Sequence, residues 1–318
     1  MVYQSASRAA RMVRPPATHA DFTRGCVMTA VIVNSMLAAR PTPQVRMRPS
    51  PLFVGSLAKG FQVLEAFDQT HPTLSLTEIA AVTGLDKSAA QRFANTLYVL
   101  GYLRKDRVTK RYSLSPKAMR FGFSYLRADT LIEPAMAYLR DANRRTEETV
   151  NLTELDDTEV VYIARVPSRH VMNIEILLGT RLPAYCTAPG RAMLGFLPEE
   201  RTLDIIDRSE LKAHTAHTVT DREKLLDVLR QVRRDGYALA AEQMFVGEYS
   251  VAAPVFGYSG EPVAAVNIAV PASRWTISEV KSKLLPVVLQ IAQAISQTHG
   301  TKNDQRNGSR NRTARKRA

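Results

Sequence analysis

Between Ser75 and Leu114 the chain reads SLTEIAAVTGLDKSAAQRFANTLYVLGYLRKDRVTKRYSL, and no other stretch restricts the fold as much. Leu76, Ile79 and Ala80 recur at helical spacing, and Ser75 with Glu78 makes a capping box at the start of that helix. Gly84 allows the backbone to reverse. Asp86 then caps a second helix with Ala89, Phe93, Leu97 and Leu100 on its apolar side. A helix, a short glycine-containing turn and a second helix form a helix-turn-helix. Tyr102–Arg104 and Tyr112–Leu114 read as two short strands, and the turn between them is basic: Lys105, Arg107, Lys110 and Arg111 against Asp106 alone. A basic hairpin directly after such a helix pair is a wing.

The outward residues of the second helix suit a reader of DNA. Lys87, Ser88, Gln91, Arg92 and Asn95 lie toward its N-terminal half. Arg and Lys pair with guanine edges and phosphates, and Gln or Asn pairs with adenine. Arg107, Lys110 and Arg111 of the wing are the expected flanking contacts.

Net charge supports this reading less than its size suggests. The chain carries +13 overall, but residues 1–50 hold seven arginines against Asp21 and residues 301–318 seven basic residues against Asp304. Nearly all of the excess therefore sits at the two ends. Between them, 51–127 is positive and 128–300 mildly negative, which separates a basic module from an acidic one. The basic ends raise one alternative, a non-specific nucleic-acid binder held by counterion release.

The rest of the chain supplies the other module. Residues 1–52 read as a disordered extension, with Met28, Met36 and Met47 as alternative starts. Cys26–Ala39 is too short and too interrupted to span a bilayer. A winged helix-turn-helix domain is expected over 53–115, its first helix, SLAKGFQVLEAF, burying Leu57, Phe61, Leu64 and Phe67. A linker helix follows over 116–130, opened by Ser115–Pro116. A second domain is expected over 131–298 and a disordered basic tail over 299–318. Within the second domain, strands are expected at Val150–Leu155, Val160–Val166, Val171–Leu177, Leu182–Cys186, Tyr249–Phe256 and Val263–Val270. Helices are expected at Gly190–Leu197, Glu199–Ile206, Asp221–Asp235 and Ile277–Thr298. The class is α+β, built on an antiparallel sheet.

Two cysteines, Cys26 and Cys186, exclude a disulfide framework and fit a reducing cytoplasm. No Cys/His spacing makes a zinc site, and no cofactor is expected. Cys186 with His214 and His217 raises a second alternative, a thiol enzyme. Its place in an apolar run argues for packing instead.

SLAKGFQVLEAF, the helix-turn-helix segment, AYCTAPGRAML, GYALAAEQ and SVAAPVF together resemble the IclR family of bacterial transcriptional regulators, in the family's order and spacing over about 53–298. The AYCTAPGRAML stretch is most similar to the branch controlling aromatic-acid (β-ketoadipate) catabolism. The resemblance implies that the C-terminal domain over 131–298 is an effector-binding domain of GAF/profilin-like form. It also implies double-stranded operator DNA as partner, self-association as a dimer or tetramer, no membrane, and a small carboxylate-bearing effector. The effector positions it implies are Thr187, Ala188 and Pro189 before the Gly190 helix, with Ser250 and Asn267 on the sheet. Two departures stand out: Pro189 has no amide hydrogen to donate, and Ala240 stands where an Asp is frequent.

Overall fold

A computed structural model describes residues 51–170 and 176–299. Helix α1 (Gly55–Glu65) precedes α2 (Leu76–Thr83) and α3 (Lys87–Val99), and the strands β1 (Leu103–Lys105) and β2 (Tyr112–Leu114) pair antiparallel behind them. Both halves of the Ser75/Glu78 capping box form, Gly84 takes the left-handed conformation at φ 68°, and the Asp86 carboxylate accepts from the Ala89 amide at 2.8 Å. Leu74 adds a bridge along the outer side of β2, exchanging both backbone hydrogen bonds with Tyr112.

Two apolar faces turn differently from their expected stripes. In α1 the buried residue is Val63, followed just past the helix by Ala66 and Phe67, whereas Leu57 and Phe61 are 61% and 49% exposed. In α3 the buried line is Ala90, Ala94 and Leu97, with Phe93 half-buried and Leu100 exposed. The small side chains at 90 and 94 let α3 close on α2, which rotates the larger residues 93 and 100 toward the edge of the core.

The linker is bolted to the winged helix at its start. Ser115 donates to the Gly101 carbonyl at 2.5 Å and accepts from the Lys117 amide. The rings of Tyr102 and Phe121 stack 5.6 Å apart. From there α4 (Met119–Ala128) runs with no buried residue, and α5 (Ile132–Thr146) sinks Ala135, Leu139 and Ala142 into the C-terminal domain.

That domain is a six-stranded antiparallel sheet. Its strands are β3 (Thr149–Asp156), β4 (Glu159–Val166), β5 (Arg181–Pro183), β6 (Ala238–Ala241), β7 (Glu248–Phe256) and β8 (Pro262–Pro271), in the order β5-β4-β3-β8-β7-β6. Strand β6 has no counterpart among the expected strands. The expected strand Leu182–Cys186 ends at Pro183 and becomes a 3-10 turn over Ala184–Cys186. Of the expected Val171–Leu177 strand, residues 171–175 lie outside the described residues, and Ile176 and Leu177 are in no strand.

One sheet face packs against α5 and the last helix, α9 (residues 277–299), through Val150, Leu152, Val266, Ile268, Leu139 and Ile291. α9 contains a π-helical turn at Val280–Leu284 rather than running uniformly. The other face packs against α6 (Ala188–Leu194), α7 (Glu199–Arg208) and α8 (Arg222–Asp235). Only glycine fits at 190: a Cβ there would lie 2.2 Å from the Ala184 carbonyl oxygen, so the turn and α6 close tightly on each other.

Candidate functional site

The outward face of α3 carries all five residues expected of it. Lys87, Ser88, Gln91, Arg92 and Asn95 are exposed, opposite the buried Ala90, Ala94 and Leu97. Positions 88, 91, 92 and 95 share one side of a helix, and among the described residues no hydrogen bond or ion pair restrains the Lys87, Gln91, Arg92 or Asn95 side chain. The wing is more ordered than a run of charges. Asp106 accepts from the Val108 and Thr109 amides and from the Thr109 hydroxyl, which holds its carboxyl below the usual range. Lys110 takes φ 59°, and Arg107 and Lys110 reach solvent from this braced tip. Arg111 is placed differently from the other two. It pairs with Glu78 at 2.8 Å and donates to the Thr73 hydroxyl and carbonyl, tying the wing to the start of α2.

The second site lies where the N-terminal end of α6 meets the sheet. Thr187, Ala188, Pro189 and Ser250 line one cavity there, with Tyr162, Leu182, Cys186, Ala240, Gln243, Met244, Phe245 and Glu248. Asn267 does not line it but supports it, donating to the Ser250 Oγ at 3.0 Å. Behind Ser250 a polar row crosses the sheet: Arg165 donates to Asn151, which reaches Asn267, the last two being almost fully buried. The free volume is about 20 Å³, close to that of one water molecule, so a larger ligand has to displace side chains.

The helix end itself offers little. α6 has seven residues, the Thr187 hydroxyl already caps the Gly190 amide, and Pro189 has no amide hydrogen. Arg191 is buried beneath it, donating to the Tyr185 carbonyl at 2.7 Å and to Gln243 at 2.6 Å, and burial pulls it down to about 10. Glu248, in contrast, is a half-buried acid whose carboxyl faces the cavity. Burial pushes it up to about 8, and the charge of Arg165 offsets only part of this. The effector positions implied by resemblance include neither Glu248 nor Tyr162. Period-two alternation offered a signal for the first, since residues 248 and 250 share one face of a strand.

Cys186 is fully buried, with its Sγ 3.8 Å from the Pro183 carbonyl and 3.7 Å from the Met244 sulfur. Burial pushes the thiol up to about 12. It is a protonated packing group, unlike the thiolate a nucleophile requires. Among the described residues no cluster of three or more His, Cys, Asp or Glu could hold a metal ion, and no helix is long and apolar enough to cross a membrane.

Comparison with known proteins matches one family domain to each of these two regions. The IclR helix-turn-helix domain matches residues 56–107, and the C-terminal domain of bacterial IclR transcriptional regulators matches 123–297. The chain belongs to the IclR family. It is similar to the Pca regulon regulatory protein of Pseudomonas putida, 32% identical over 80% of this chain and 87% of that protein. It is also similar to the p-hydroxybenzoate hydroxylase transcriptional activator of Acinetobacter baylyi, 32% identical over 76% and 91%. Among solved structures, Thermotoga maritima IclR superposes with a TM-score of 0.61 at 30% identity, covering 77% of this chain and 99% of that one. As an IclR regulator, this chain joins a winged helix that binds DNA to an antiparallel-sheet effector domain.

Proposed function

We propose that this regulator binds operator DNA as a dimer through α3 and the wing, and that an aromatic acid entering the α6 cavity alters that binding. The observation that carries the proposal is the pairing of an unrestrained polar face on α3 with a partly enclosed, partly apolar cavity in a separate domain of the same chain. Resemblance to regulators named for the Pca regulon and for p-hydroxybenzoate hydroxylase favours an aromatic acid over other carboxylates. Leu182, Met244, Phe245 and Pro189 offer walls for its ring.

What α1 and α4 leave uncovered supports a dimer. Leu57 and Phe61 of α1 and Met119, Phe121, Phe123 and Tyr125 of α4 are all about half exposed, and a groove of about 430 Å³ lies between α1, α3 and Phe121. A second copy would cover this surface and bring two α3 helices to the spacing of a palindromic site.

The path between the sites runs through β3. Its residue Asn151 belongs to the polar row behind the cavity, while its Glu154 accepts a hydrogen bond from Tyr125 of the linker helix. Displacing the row would therefore move a strand to which the linker is attached. The test is fluorescence anisotropy of the full chain on promoter fragments from around its own gene, with and without 4-hydroxybenzoate. Affinity that resists scrambling of the DNA sequence, or that never responds to aromatic acids, would refute the proposal.

A further inference from the structure

Five of the cavity's lining side chains can form oxygen-centred hydrogen bonds: Tyr162, Thr187, Gln243, Glu248 and Ser250. Two are fully engaged by the protein. The Thr187 hydroxyl donates to the Pro183 carbonyl and caps Gly190. The Gln243 amide accepts from Arg191 and the Val219 amide and donates to the His217 carbonyl. The other three differ. Among the described residues no hydrogen bond reaches the Tyr162 hydroxyl or the Glu248 carboxyl, although Tyr162 is only 4% exposed. Ser250, 8% exposed, accepts from Asn267, and its own proton has no acceptor among the described residues.

The charge balance of the cavity adds a second constraint. No lining residue is a cation. Arg191 is held by Tyr185 and Gln243, and Arg165 by Asn151. Glu248 is the one carboxylic acid in the lining, and burial favours its neutral form. A neutral carboxyl, a phenol and a serine hydroxyl can each both donate and accept. The ligand group that complements such a set is itself uncharged and can also do both. A hydroxyl can serve all three whether Glu248 is neutral or ionised, whereas a carboxylate can only accept and is repelled once Glu248 ionises.

We propose that Glu248, Tyr162 and Ser250 form a hydroxyl-recognition subsite, which makes the effector a hydroxy acid and distinguishes it from the same acid without the hydroxyl. This deepens the effector reading above and rests on the α6 cavity being the effector site. A site that leaves buried polar groups unpaired when the hydroxyl is missing rejects the plain analogue strongly.

Calorimetric titration of the full-length chain with two matched pairs tests this: benzoate against 4-hydroxybenzoate, and propionate against lactate. The hydroxy member of a binding pair is expected to bind wild type roughly tenfold tighter or more. Glu248→Leu should bring it down to the affinity of its plain partner, while Glu248→Gln, which still donates and accepts, should keep the preference. Tyr162→Phe, read the same way, should reduce the preference and covers the case in which the leucine variant fails to fold. Equal binding of the benzoate pair by wild type would overturn the hydroxyl subsite and leave the aromatic reading standing. A hydroxyl preference confined to the lactate pair would do the reverse. No binding of any of the four would overturn both.

Discussion

Arg111, the last residue of the wing loop, donates to Glu78 at 2.8 Å, and Glu78 is the residue that closes the capping box on Ser75. Wing and α2 are thus one unit. The hydrogen bond from the Ser75 backbone, then that from its side chain, then Arg111 hold the Glu78 carboxyl down to about 2. Arg111→Ala should therefore lower the thermal unfolding midpoint and weaken DNA binding indirectly, by releasing the wing. Arg107→Ala should leave the midpoint unchanged and reduce the salt slope of DNA binding by about one phosphate contact. Thermal melts and anisotropy at several salt concentrations separate the two.

Arg92 and Lys87 both project from α3 but should behave differently. If Arg92 reads a base, Arg92→Ala should cost about 1–3 kcal/mol on the operator and little on scrambled DNA. Lys87→Ala, at the first turn of the helix, should weaken both alike. Equal losses for Arg92→Ala on both DNAs would remove it from the reading surface.

Glu248 gives a pH signature independent of any ligand. Its folded value is about 8 and its ordinary value 4.5, so between those limits the native chain holds a proton that the unfolded chain releases. Stability from this group is therefore highest below pH ~4.5 and is lost as pH rises toward 8. The charged and titratable groups facing it are Arg165 and Tyr162 from β4 and Cys186 from the turn before α6. Burial pushes Cys186 to about 12 and Tyr162 above its usual range, so neither titrates in that window. Glu248→Gln should gain on the order of 1–3 kcal/mol relative to wild type between pH 5.5 and pH 8.5. Urea unfolding at the two values measures it, and a constant difference would show that the carboxyl is not held neutral.

The parts of this chain that were legible from sequence are those whose signals are local. The capping box at Ser75, the Asp86 cap, the Gly84 reversal and the β7–β8 hairpin depend on neighbouring residues, and each forms as read. What escaped depends on tertiary packing. Leu57 and Phe61 look like core in an amphipathic pattern, but α1 buries the side that carries Val63 and leaves both lining a groove with Phe93, Leu100 and Phe121. Arg111 reads as one more cation of a basic loop until Thr73 and Glu78, distant in sequence, come within reach. Glu248 resembles an edge acid, because nothing nearby in sequence announces that α6 and the Met244–Phe245 segment will cover it.

Tyr125 links the linker helix to β3, and its removal tests how the two domains communicate. Its hydroxyl donates to the half-buried carboxyl of Glu154, which burial, with Asp129 and Asp156, pushes up to about 7 against the opposing Tyr125 hydrogen bond. Losing that bond leaves a poorly solvated acid between Asp129 and Asp156, joined to the end of α4 only through its contact with Asp129. Tyr125→Phe should therefore leave effector-free operator affinity within about threefold of wild type, since α3 and the wing are untouched. It should reduce the change in operator affinity that a saturating effector produces, because the cavity row moves β3 and β3 then holds α4 less firmly. Paired anisotropy titrations with and without 4-hydroxybenzoate measure both quantities. If the variant loses operator affinity but keeps the full effector response, the Tyr125–Glu154 contact positions the reader and transmits nothing.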